Sequence, residues 1–312
     1  MPQGALLFQP AGFPHQPWTD HLRRIMPELD IRTEDDEARR DDIAYCIAWK
    51  PKPGSLRNFP NLKVVFSMGA GVDGIITDPT YPQHVPLSRV VDETLAQSMT
   101  EYVVLHVLAW HRRLHDLDAL QKLKKWRPIS TPRADKLRVG ILGFGELGKA
   151  AATALKALNY QLSAWSATPK SFSGVRSFAG QDGLALFLSQ TDILVCLLPL
   201  TPATAGILNA KTFALLPKDA CIINCARGGH VIEEDLIAAL DAGHLRGATL
   251  DVFQTEPLPD TSPLWAHPKV VVSPHVAATT DREAFIHHVA GTIRRMDQNL
   301  PPENLVDFAR GY

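Results

Sequence analysis

From Arg138 onward, the hydrophobic pattern of the chain alternates between two periods. Short continuous apolar runs are typical of strands that are buried on both faces of a parallel sheet, and between most of them the apolar residues recur at helical spacing. The runs that we predict as strands span residues 138–142, 161–165, 192–197, 220–224, 247–252 and 269–273. This repeated strand–helix order predicts an α/β fold with a Rossmann-type, doubly wound parallel sheet.

The first ninety residues have a similar but shorter pattern. The predicted elements are buried strands at 5–8, 43–49 and 62–67 and a helix at 18–26. The amphipathic segment 281–299 has one apolar side, which could pack on this N-terminal part. We therefore predict a smaller, flavodoxin-like α/β domain made of residues 1–96 and 282–312. A larger domain, residues 97–281, is inserted in it.

Residues 93–125 have the pattern of one long helix. Its apolar face is predicted to include Val103 and Leu105, and Trp110 and Trp126 are predicted to anchor its packing. This helix is also our candidate for the surface between two copies of the chain.

Composition and charge exclude several classes of function. The chain has 312 residues, of which 45% are hydrophobic, enough for sizeable cores in one large or two ordinary domains. Its formal net charge of −1 gives no electrostatic reason to expect nucleic acid or an anionic membrane as a partner. No run of eighteen apolar residues predicts a membrane span, and the N-terminus lacks the basic region of a signal peptide.

The four cysteines, Cys46, Cys196, Cys221 and Cys225, lie in apolar surroundings. We expect them to be buried and reduced, which fits a cytoplasmic protein. Because Cys221 and Cys225 lack further ligand-type residues at useful spacing, no metal site is predicted there.

Gly143, Gly145 and Gly148 form a G-x-G-x-x-G motif between the predicted strand 138–142 and a helical pattern that follows. Gly143 permits a tight turn, Gly145 lets the backbone approach a pyrophosphate, and Gly148 lets the helix pack closely on the sheet. The helix N-terminus adds amide groups that can bind phosphate. The motif alone is a weak signal, but its position between a strand and a helix predicts a dinucleotide site, so residues 97–281 are predicted to be the dinucleotide-binding domain.

The residues after the second strand of this sheet bear on the choice of cofactor. NAD-binding folds usually place an acidic residue there, about twenty residues after the glycines, to bind the ribose hydroxyls. This chain has Ser166, Thr168 and Lys170 instead, which are two hydroxyls and one cation suited to a 2′-phosphate. We therefore predict NADPH as the cofactor and keep NADH as the alternative, in which Lys170 is simply a solvated loop residue.

Three polar residues follow three later strands: Arg227, Glu256 and His275. Each has a plain alternative as a surface or packed residue, but the ends of parallel strands converge on one crevice. An arginine can bind a carboxylate with its planar guanidinium group, and histidine is suited to proton transfer at neutral pH. A carboxylate can orient that histidine and favour its protonated form. Together these residues indicate reduction of a 2-oxo acid.

The motifs carry a resemblance that covers nearly the whole chain. They are Met68-Gly-Ala-Gly-Val-Asp73, the glycine motif at 143–148, Asn224-Cys-Ala-Arg-Gly228, Asp251-Val-Phe-x-x-Glu-Pro-Leu258, Ser273-Pro-His-Val-Ala277 and the terminal Ala309-Arg-Gly-Tyr312. The chain resembles the D-isomer-specific 2-hydroxyacid dehydrogenase family and, within it, the bacterial glyoxylate/hydroxypyruvate reductase A group.

The resemblance implies two domains with a cleft between them, a homodimer, and Arg227, Glu256 and His275 as the catalytic set. It implies that the turn at Ala70, Gly71 and Val72 binds the carboxylate of a small 2-oxo acid, together with Arg227. Trp49 is placed in the substrate pocket, with a core aromatic as the alternative. The residues expected along the cofactor are Gly143, Gly145, Glu146, Leu147, Gly148, Trp165, Ser166, Thr168, Lys170, Leu198, Pro199, Cys225, Ala226 and Asp251.

The chain departs from the group's pattern in one place. The group usually has arginines after the second strand, where this chain has Ala167 and Pro169, so the preference for NADPH is expected to be weaker. Two alternatives stay open: another D-2-hydroxyacid dehydrogenase, such as a D-lactate or phosphoglycerate type, and a dinucleotide-sensing corepressor that binds peptides. The absence of a C-terminal regulatory domain disfavours the phosphoglycerate type.

Overall fold

The computed structural model describes residues 4–10, 14–34, 36–69, 71–90 and 93–308. The chain divides into two compact units, of which the first comprises Met1–Leu95 and Thr279–Tyr312 and the second Ala96–Ala278. Each unit contains its own parallel β-sheet, so the predicted α/β class with parallel sheets is confirmed. None of the helices among the described residues has both the length and the apolar character needed to cross a bilayer.

The first unit contains a five-stranded sheet. Its elements in chain order are β1 (Ala5–Pro10), α1 (Gln16–Ile25), β2 (Ile31–Arg32), β3 (Ile43–Trp49), β4 (Val64–Ser67), α2 (Asp73–Ile76) and β5 (Leu87–Arg89). The strands lie in the order β2-β1-β3-β4-β5, and all are parallel. The strands β2 and β5 were not predicted, because runs of two and three residues are too short to show a period.

The second unit contains a seven-stranded sheet. Its elements are α3 (Glu93–His111), which begins in the first unit, α4 (Leu114–Lys122), β6 (Arg138–Leu142), α5 (Glu146–Ala157), β7 (Gln161–Ser166), β8 (Val175–Ala179), α6 (Gly180–Leu188), β9 (Ile193–Cys196), α7 (Ala210–Leu215), β10 (Ala220–Asn224), α8 (Glu233–Asp241), β11 (Leu245–Leu250) and β12 (Val270–Val272). The strand order is β12-β11-β10-β9-β6-β7-β8, again all parallel.

The strand β8 is absent from our prediction for a physical reason. It lies at the edge of the sheet, where one side has no neighbouring strand, and only Phe178 in it is buried. Its polar residues Arg176 and Ser177 are exposed, so the sequence lacks the continuous apolar run of a central strand.

The last helix, α9 (Arg282–Asp297), follows the second unit in sequence but belongs to the first. Its buried side chains, which include Phe285 and Val289, pack in the same core as β1 and β3. The rings of Trp18 on α1 and Phe285 pack edge to face, with their centroids 5.8 Å apart. The apolar side of this helix therefore packs in a core that is formed mainly by the N-terminal part of the chain.

The prediction of one helix over residues 93–125 was wrong, because the chain forms α3 and α4 with a break between them. Arg113 has a φ of 58°, in the left-handed region, and a residue there interrupts the regular helical hydrogen bonds. Its guanidinium group pairs with Asp116 in the first turn of α4. The sequence contains neither glycine nor proline at this point, so no local signal marks the break.

Two side chains of this region face the solvent instead of the core. Leu105 is exposed, since it lies two residues, or about 200° around the helix, from the buried Val103. Trp126 is completely exposed at 102%, whereas Trp110 is buried as predicted. The prediction that Trp126 anchors the packing of its own chain was therefore wrong.

Candidate active site

The glycine motif lies where the connections of the second sheet diverge. The strand β6 has β9 on one side and β7 on the other, so the loop after β6 faces the crevice at the topological switch point. Gly143 has a φ of 104°, and a Cβ there would lie 2.6 Å from the Leu197 carbonyl carbon. A Cβ on Gly148 would overlap with the carbonyl oxygen of Gly143. Both positions therefore require glycine.

Gly145 has a different environment. It is exposed, and an added Cβ would contact nothing within 4 Å. It precedes α5, whose first amides have no partner inside the helix until Lys149 donates to the Gly145 carbonyl oxygen at 3.0 Å. Open space beside helix-terminal amides fits a pyrophosphate group, so the loop can hold a dinucleotide cofactor.

Two other residues of the motif, Glu146 and Leu147, are predicted cofactor contacts through their backbone. The Glu146 carboxylate is turned to Lys149, whose Nζ donates to its Oε1 at 2.8 Å. Leu147 is half-buried and packs against the core that contains Val139 and Ile141 of β6. Their amide groups are the part of each residue available for the predicted cofactor contact.

Gly145, with open space at the Cβ position, and Gly148, with none, should respond differently to replacement by alanine. Gly145→Ala should leave the free energy of unfolding of the free protein within about 0.5 kcal/mol of wild type, because its Cβ enters open space. It should raise the Kd for NADPH about tenfold or more, because that Cβ occupies the approach of the phosphates. Gly148→Ala should instead lower the free energy of unfolding by about 1–3 kcal/mol. Denaturant titration and NADPH fluorescence measure both quantities, and unchanged NADPH affinity in Gly145→Ala would contradict this assignment.

The end of β7 carries the residues predicted to select the cofactor. The Trp165 indole is buried and donates to the Gly180 carbonyl oxygen at 2.8 Å, so its side chain is not presented to a ligand. The Ser166 hydroxyl donates to the Thr168 carbonyl oxygen at 2.7 Å and has no second proton for a phosphate. Thr168 and Lys170 are exposed. Of the predicted 2′-phosphate contacts, these two have suitable side chains.

The loops after β9 and β10 contain four further predicted cofactor contacts. Leu198, Cys225 and Ala226 are buried, and Pro199 is half-buried. Burial raises the pKa of the Cys225 thiol far above its ordinary value, and its Sγ donates to the Cys196 carbonyl oxygen at 3.7 Å. This thiol is therefore a neutral packing group, and these residues can form an apolar wall beside the crevice.

His275 and Glu256 form the pair that the sequence predicted. The Nδ1 atom of His275 lies 2.9 Å from Oε2 of Glu256, and the side chains are 29% and 19% exposed. The other carboxylate oxygen of Glu256 accepts the Phe253 amide at 3.1 Å. The carboxylate is thus fixed by its own loop, and the imidazole is oriented while part of the ring stays accessible.

Asp251 organises the backbone around His275. Its carbonyl oxygen accepts the His275 amide at 2.8 Å, and its carboxylate accepts the amides of Val276 and Ala277 at 2.9 and 2.8 Å. His275 has a φ of 56°, in the left-handed region that residues other than glycine adopt uncommonly and at some cost. These hydrogen bonds offset that strain. Asp251 is almost fully buried, and contact between it and the cofactor stays a prediction.

Arg227 is held beside the same loop as Glu256. The Arg227 carbonyl oxygen accepts from the Asn224 side chain at 3.0 Å, and one guanidinium nitrogen donates to the Ala226 carbonyl oxygen at 2.7 Å. A Cβ on the next residue, Gly228, would overlap with the carbonyl group of Phe253. The loops after β10 and β11 are therefore packed backbone to backbone. Arg227, Glu256 and His275 follow three adjacent parallel strands at one edge of the sheet.

The remaining predicted residues belong to the first unit. A Cβ on Gly69 would overlap with the Trp49 ring, so the indole lies against the start of this turn. Trp49 is half-buried beside the core of that unit, and both predicted roles remain compatible with this position. Gly71 is half-buried and Val72 is buried, whereas Ala70 lies outside the described residues.

Two hydroxyl groups hold this turn, and no motif or spacing in the sequence marked them as site residues. The Ser67 hydroxyl donates to the Gly69 carbonyl oxygen at 3.0 Å, and the Thr280 hydroxyl donates to the Met68 carbonyl oxygen at 2.7 Å. Ser273 was likewise not predicted as a site residue, although it stands two positions before His275 in a quoted motif. Its hydroxyl donates to Oδ1 of Asp251 at 2.7 Å.

Comparison with known proteins agrees with this geometry. Residues 104–277 match the family described as D-isomer specific 2-hydroxyacid dehydrogenase, NAD binding domain. A glyoxylate/hydroxypyruvate reductase A of Yersinia enterocolitica is 42% identical over 98% of this chain and 99% of its own.

Two solved structures are similar over 99% of this chain and 100% of theirs, each at 40% identity and a TM-score of 0.91. One is a D-isomer specific 2-hydroxyacid dehydrogenase from Xanthobacter autotrophicus in complex with NADPH, and the other an NADPH-dependent glyoxylate/hydroxypyruvate reductase from Sinorhizobium meliloti in complex with NADP and sulfate. These findings confirm the Rossmann-type fold and the resemblance indicated by the motifs. The chain belongs to the D-isomer specific 2-hydroxyacid dehydrogenase family.

Proposed function

We propose that this chain uses NADPH to reduce small 2-oxo acids, converting glyoxylate to glycolate and hydroxypyruvate to D-glycerate. The observation that carries the proposal is the 2.9 Å contact between His275 and Glu256, at the strand ends of a sheet whose glycine loop fits a dinucleotide. The similarity to glyoxylate/hydroxypyruvate reductases supports the choice of substrates.

The hydrogen bonds of the site suggest which atom of His275 transfers the proton. A carboxylate can only accept, so the proton shared with Glu256 is on Nδ1 of His275. The Nε2 atom is then the one that donates a proton to the carbonyl oxygen of the substrate as the alcohol forms. The cofactor, when bound, supplies the hydride to the carbonyl carbon.

Arg227 is the proposed partner of the substrate carboxylate. Its guanidinium group can form two parallel hydrogen bonds to a carboxylate, which fixes the orientation of a small acid. The family resemblance adds the backbone of Gly71 and Val72 as a second contact for the same group. Trp49 is proposed to limit the size of the substrate, because its ring lies on the turn that precedes these residues.

The cofactor preference follows from the residues after β7. Thr168 and Lys170 can bind a 2′-phosphate, and no carboxylate stands in the segment from Ser166 to Lys170 to repel it. Three structural relatives were crystallised with NADPH or NADP, which supports NADPH as the cofactor of this chain. With Ala167 in place of an arginine, we expect NADH to be used as well, at a higher KM.

The decisive experiment is an assay of the purified protein with glyoxylate, hydroxypyruvate and pyruvate. Nicotinamide absorbance reports oxidation of NADPH and NADH, and kcat/KM ranks the substrates and cofactors. We expect the highest values with NADPH and either glyoxylate or hydroxypyruvate. A preference for pyruvate would instead indicate a D-lactate-type enzyme. Tight NADPH binding without oxidation by any acid would indicate a dinucleotide sensor.

A homodimer is part of the proposal. Four exposed leucines and the fully exposed Trp126 lie within one stretch of the second unit, at Leu105, Leu114, Leu117, Leu123 and Trp126. Leu114 and Leu117 share one face of α4, since they are three residues apart. Such a concentration of exposed apolar side chains is typical of a protein interface. A second copy of this chain is the proposed partner.

This surface gives a testable prediction. The wild-type protein should have twice the mass of the 34.3 kDa chain in sedimentation experiments. Leu123→Asp should shift it towards the single-chain mass, because the interface would bury a charge. Leu186→Asp is the matched control, since Leu186 is an exposed leucine on α6, outside this stretch. A monomeric wild type, or equal effects of both variants, would contradict the proposed interface.

The proposed location is the cytoplasm. All four cysteines are buried, and burial raises the pKa of Cys196 to about 12 and that of Cys221 to about 11. Thiols that stay protonated and buried are compatible with a reducing compartment.

A further inference from the structure

A series of hydrogen bonds connects α3 to the loop that carries His275. The Tyr102 hydroxyl on α3 lies 2.6 Å from Oγ of Ser273, just beyond β12, although the two residues are 171 positions apart. Ser273 in turn lies 2.7 Å from Oδ1 of Asp251. The carbonyl group and carboxylate of Asp251 accept the backbone amides of His275, Val276 and Ala277.

The direction of each hydrogen bond in this series follows from counting protons. A carboxylate has only acceptors, so the single Ser273 proton is donated to Asp251. The Ser273 oxygen must therefore accept from Tyr102, whose hydroxyl is the donor. Burial raises the pKa of Tyr102, so the phenol keeps its proton at any pH at which the protein functions.

The hydrogen bonds from Tyr102 and Ser273 act on the Asp251 carboxylate. Without the Tyr102 hydroxyl, the Ser273 oxygen would lose its donor, and the bond that Ser273 donates to Asp251 would weaken, because linked hydrogen bonds polarise and strengthen one another. Oδ1 of Asp251 accepts both Ser273 and the Val276 amide, so a weaker bond from Ser273 would hold this carboxylate, and with it the residue next to His275, less firmly. His275 is the residue with the left-handed backbone, which depends on these contacts.

We propose that Tyr102 is a positioning residue for His275, acting through Ser273 and Asp251. This inference rests on the proposed function, because it assigns to His275 the proton transfer. Tyr102 itself is not a catalytic residue, since the hydrogen bonds that link its hydroxyl to the backbone of His275 run through Ser273 and Asp251. Its hydroxyl strengthens the bond from Ser273 that completes the set of bonds around Asp251.

The first test is hydrogen exchange in the free protein, which needs neither cofactor nor substrate. In Tyr102→Phe, the amides of Val276 and Ala277 should exchange about 3–10-fold faster than in wild type, because the bonds that protect them are weakened. Tyr160→Phe is the matched control. It removes another hydroxyl bonded at 2.8 Å within the same apolar core, where the partner is His111. Unchanged exchange in Tyr102→Phe, or equal acceleration in the control, would overturn the proposal.

The second test is kinetic. Tyr102→Phe should lower kcat about 3–10-fold with little change in KM or in the Kd for NADPH, because the substrate and cofactor contacts are intact. The variant Tyr102→Phe should have no further effect in a His275→Gln background or in a Ser273→Ala background, since effects along one chain are not additive. An equal additional loss in either background would overturn the route through Ser273 to His275.

The two tests separate this inference from the proposed function. If the wild-type protein reduced no 2-oxo acid, the proposed function would fail, while faster exchange at Val276 and Ala277 would still confirm the structural link. If the protein were an active reductase with normal exchange in Tyr102→Phe, only the inference about Tyr102 would fail.

Discussion

Replacing His275 by glutamine is expected to lower kcat for reduction of glyoxylate or hydroxypyruvate by about 10²–10⁴-fold, the usual contribution of one general acid. The glutamine amide can keep a hydrogen bond to Glu256 but cannot transfer a proton to the developing alkoxide. The Kd for NADPH should stay within about twofold of wild type, since the glycine loop lies after a different strand. Steady-state kinetics and NADPH fluorescence measure the two quantities.

The chain offers a matched control for this variant. His267 also pairs with a carboxylate, Asp241 at 3.3 Å, but it precedes β12 and so lies near the amino end of that strand, whereas His275 follows its carboxyl end. His267→Gln should leave kcat unchanged. Wild-type kcat in His275→Gln would remove His275 from the mechanism, and equal losses in both variants would indicate a general effect on folding.

Glu256→Gln should reproduce part of the loss in kcat, because it keeps the shape of the pair but removes the charge that supports protonated His275.

Replacing Arg227 by alanine is expected to lower kcat/KM by about 10²–10⁴-fold, with a rise in the KM for the 2-oxo acid as a large part of the effect. Removing one partner of a buried, hydrogen-bonded charge pair costs about 2–5 kcal/mol or more, and about 3–5 kcal/mol corresponds to this range. Arg227→Lys should recover only part of the loss, since lysine is a point charge that cannot bind both carboxylate oxygens in one plane.

Arg133→Ala is the control for this second prediction. Arg133 is largely exposed and pairs with Asp135 in the segment before β6, so its loss should leave the kinetic constants unchanged. If Arg227→Ala kept a wild-type KM for glyoxylate, the carboxylate would have to be bound elsewhere. In that case the turn at Gly71 and Val72 would be the remaining candidate.

Some features of the fold could be predicted from the sequence because they depend on local pattern. The central strands of both sheets are continuous apolar runs, and β6 and β10 were predicted with their observed bounds. The glycine motif was interpretable for the same reason, since a left-handed φ at Gly143 and the close approach at Gly148 are demands on single residues. His275 and Arg227 were found by their position after such strands.

Tertiary contacts determined the features that the sequence left open. Leu105 and Val103 are equally apolar, and only the direction in which α3 faces its sheet exposes one and buries the other. The edge strand β8 has no apolar run, because one of its sides needs no partner. The break at Arg113 has no glycine or proline to mark it.

The same distinction holds for the candidate site. The residue types needed for reduction of a 2-oxo acid, and their position at strand ends, were determined by the sequence alone. The contact between Gly228 and Phe253, the three hydrogen bonds to Asp251 around His275, and the link from Tyr102 to Ser273 were decided only by the tertiary structure. The physical reason is that each joins groups far apart in the chain, through close backbone packing or through hydrogen bonds shorter than 3 Å, and no periodicity or spacing in a sequence encodes such contacts.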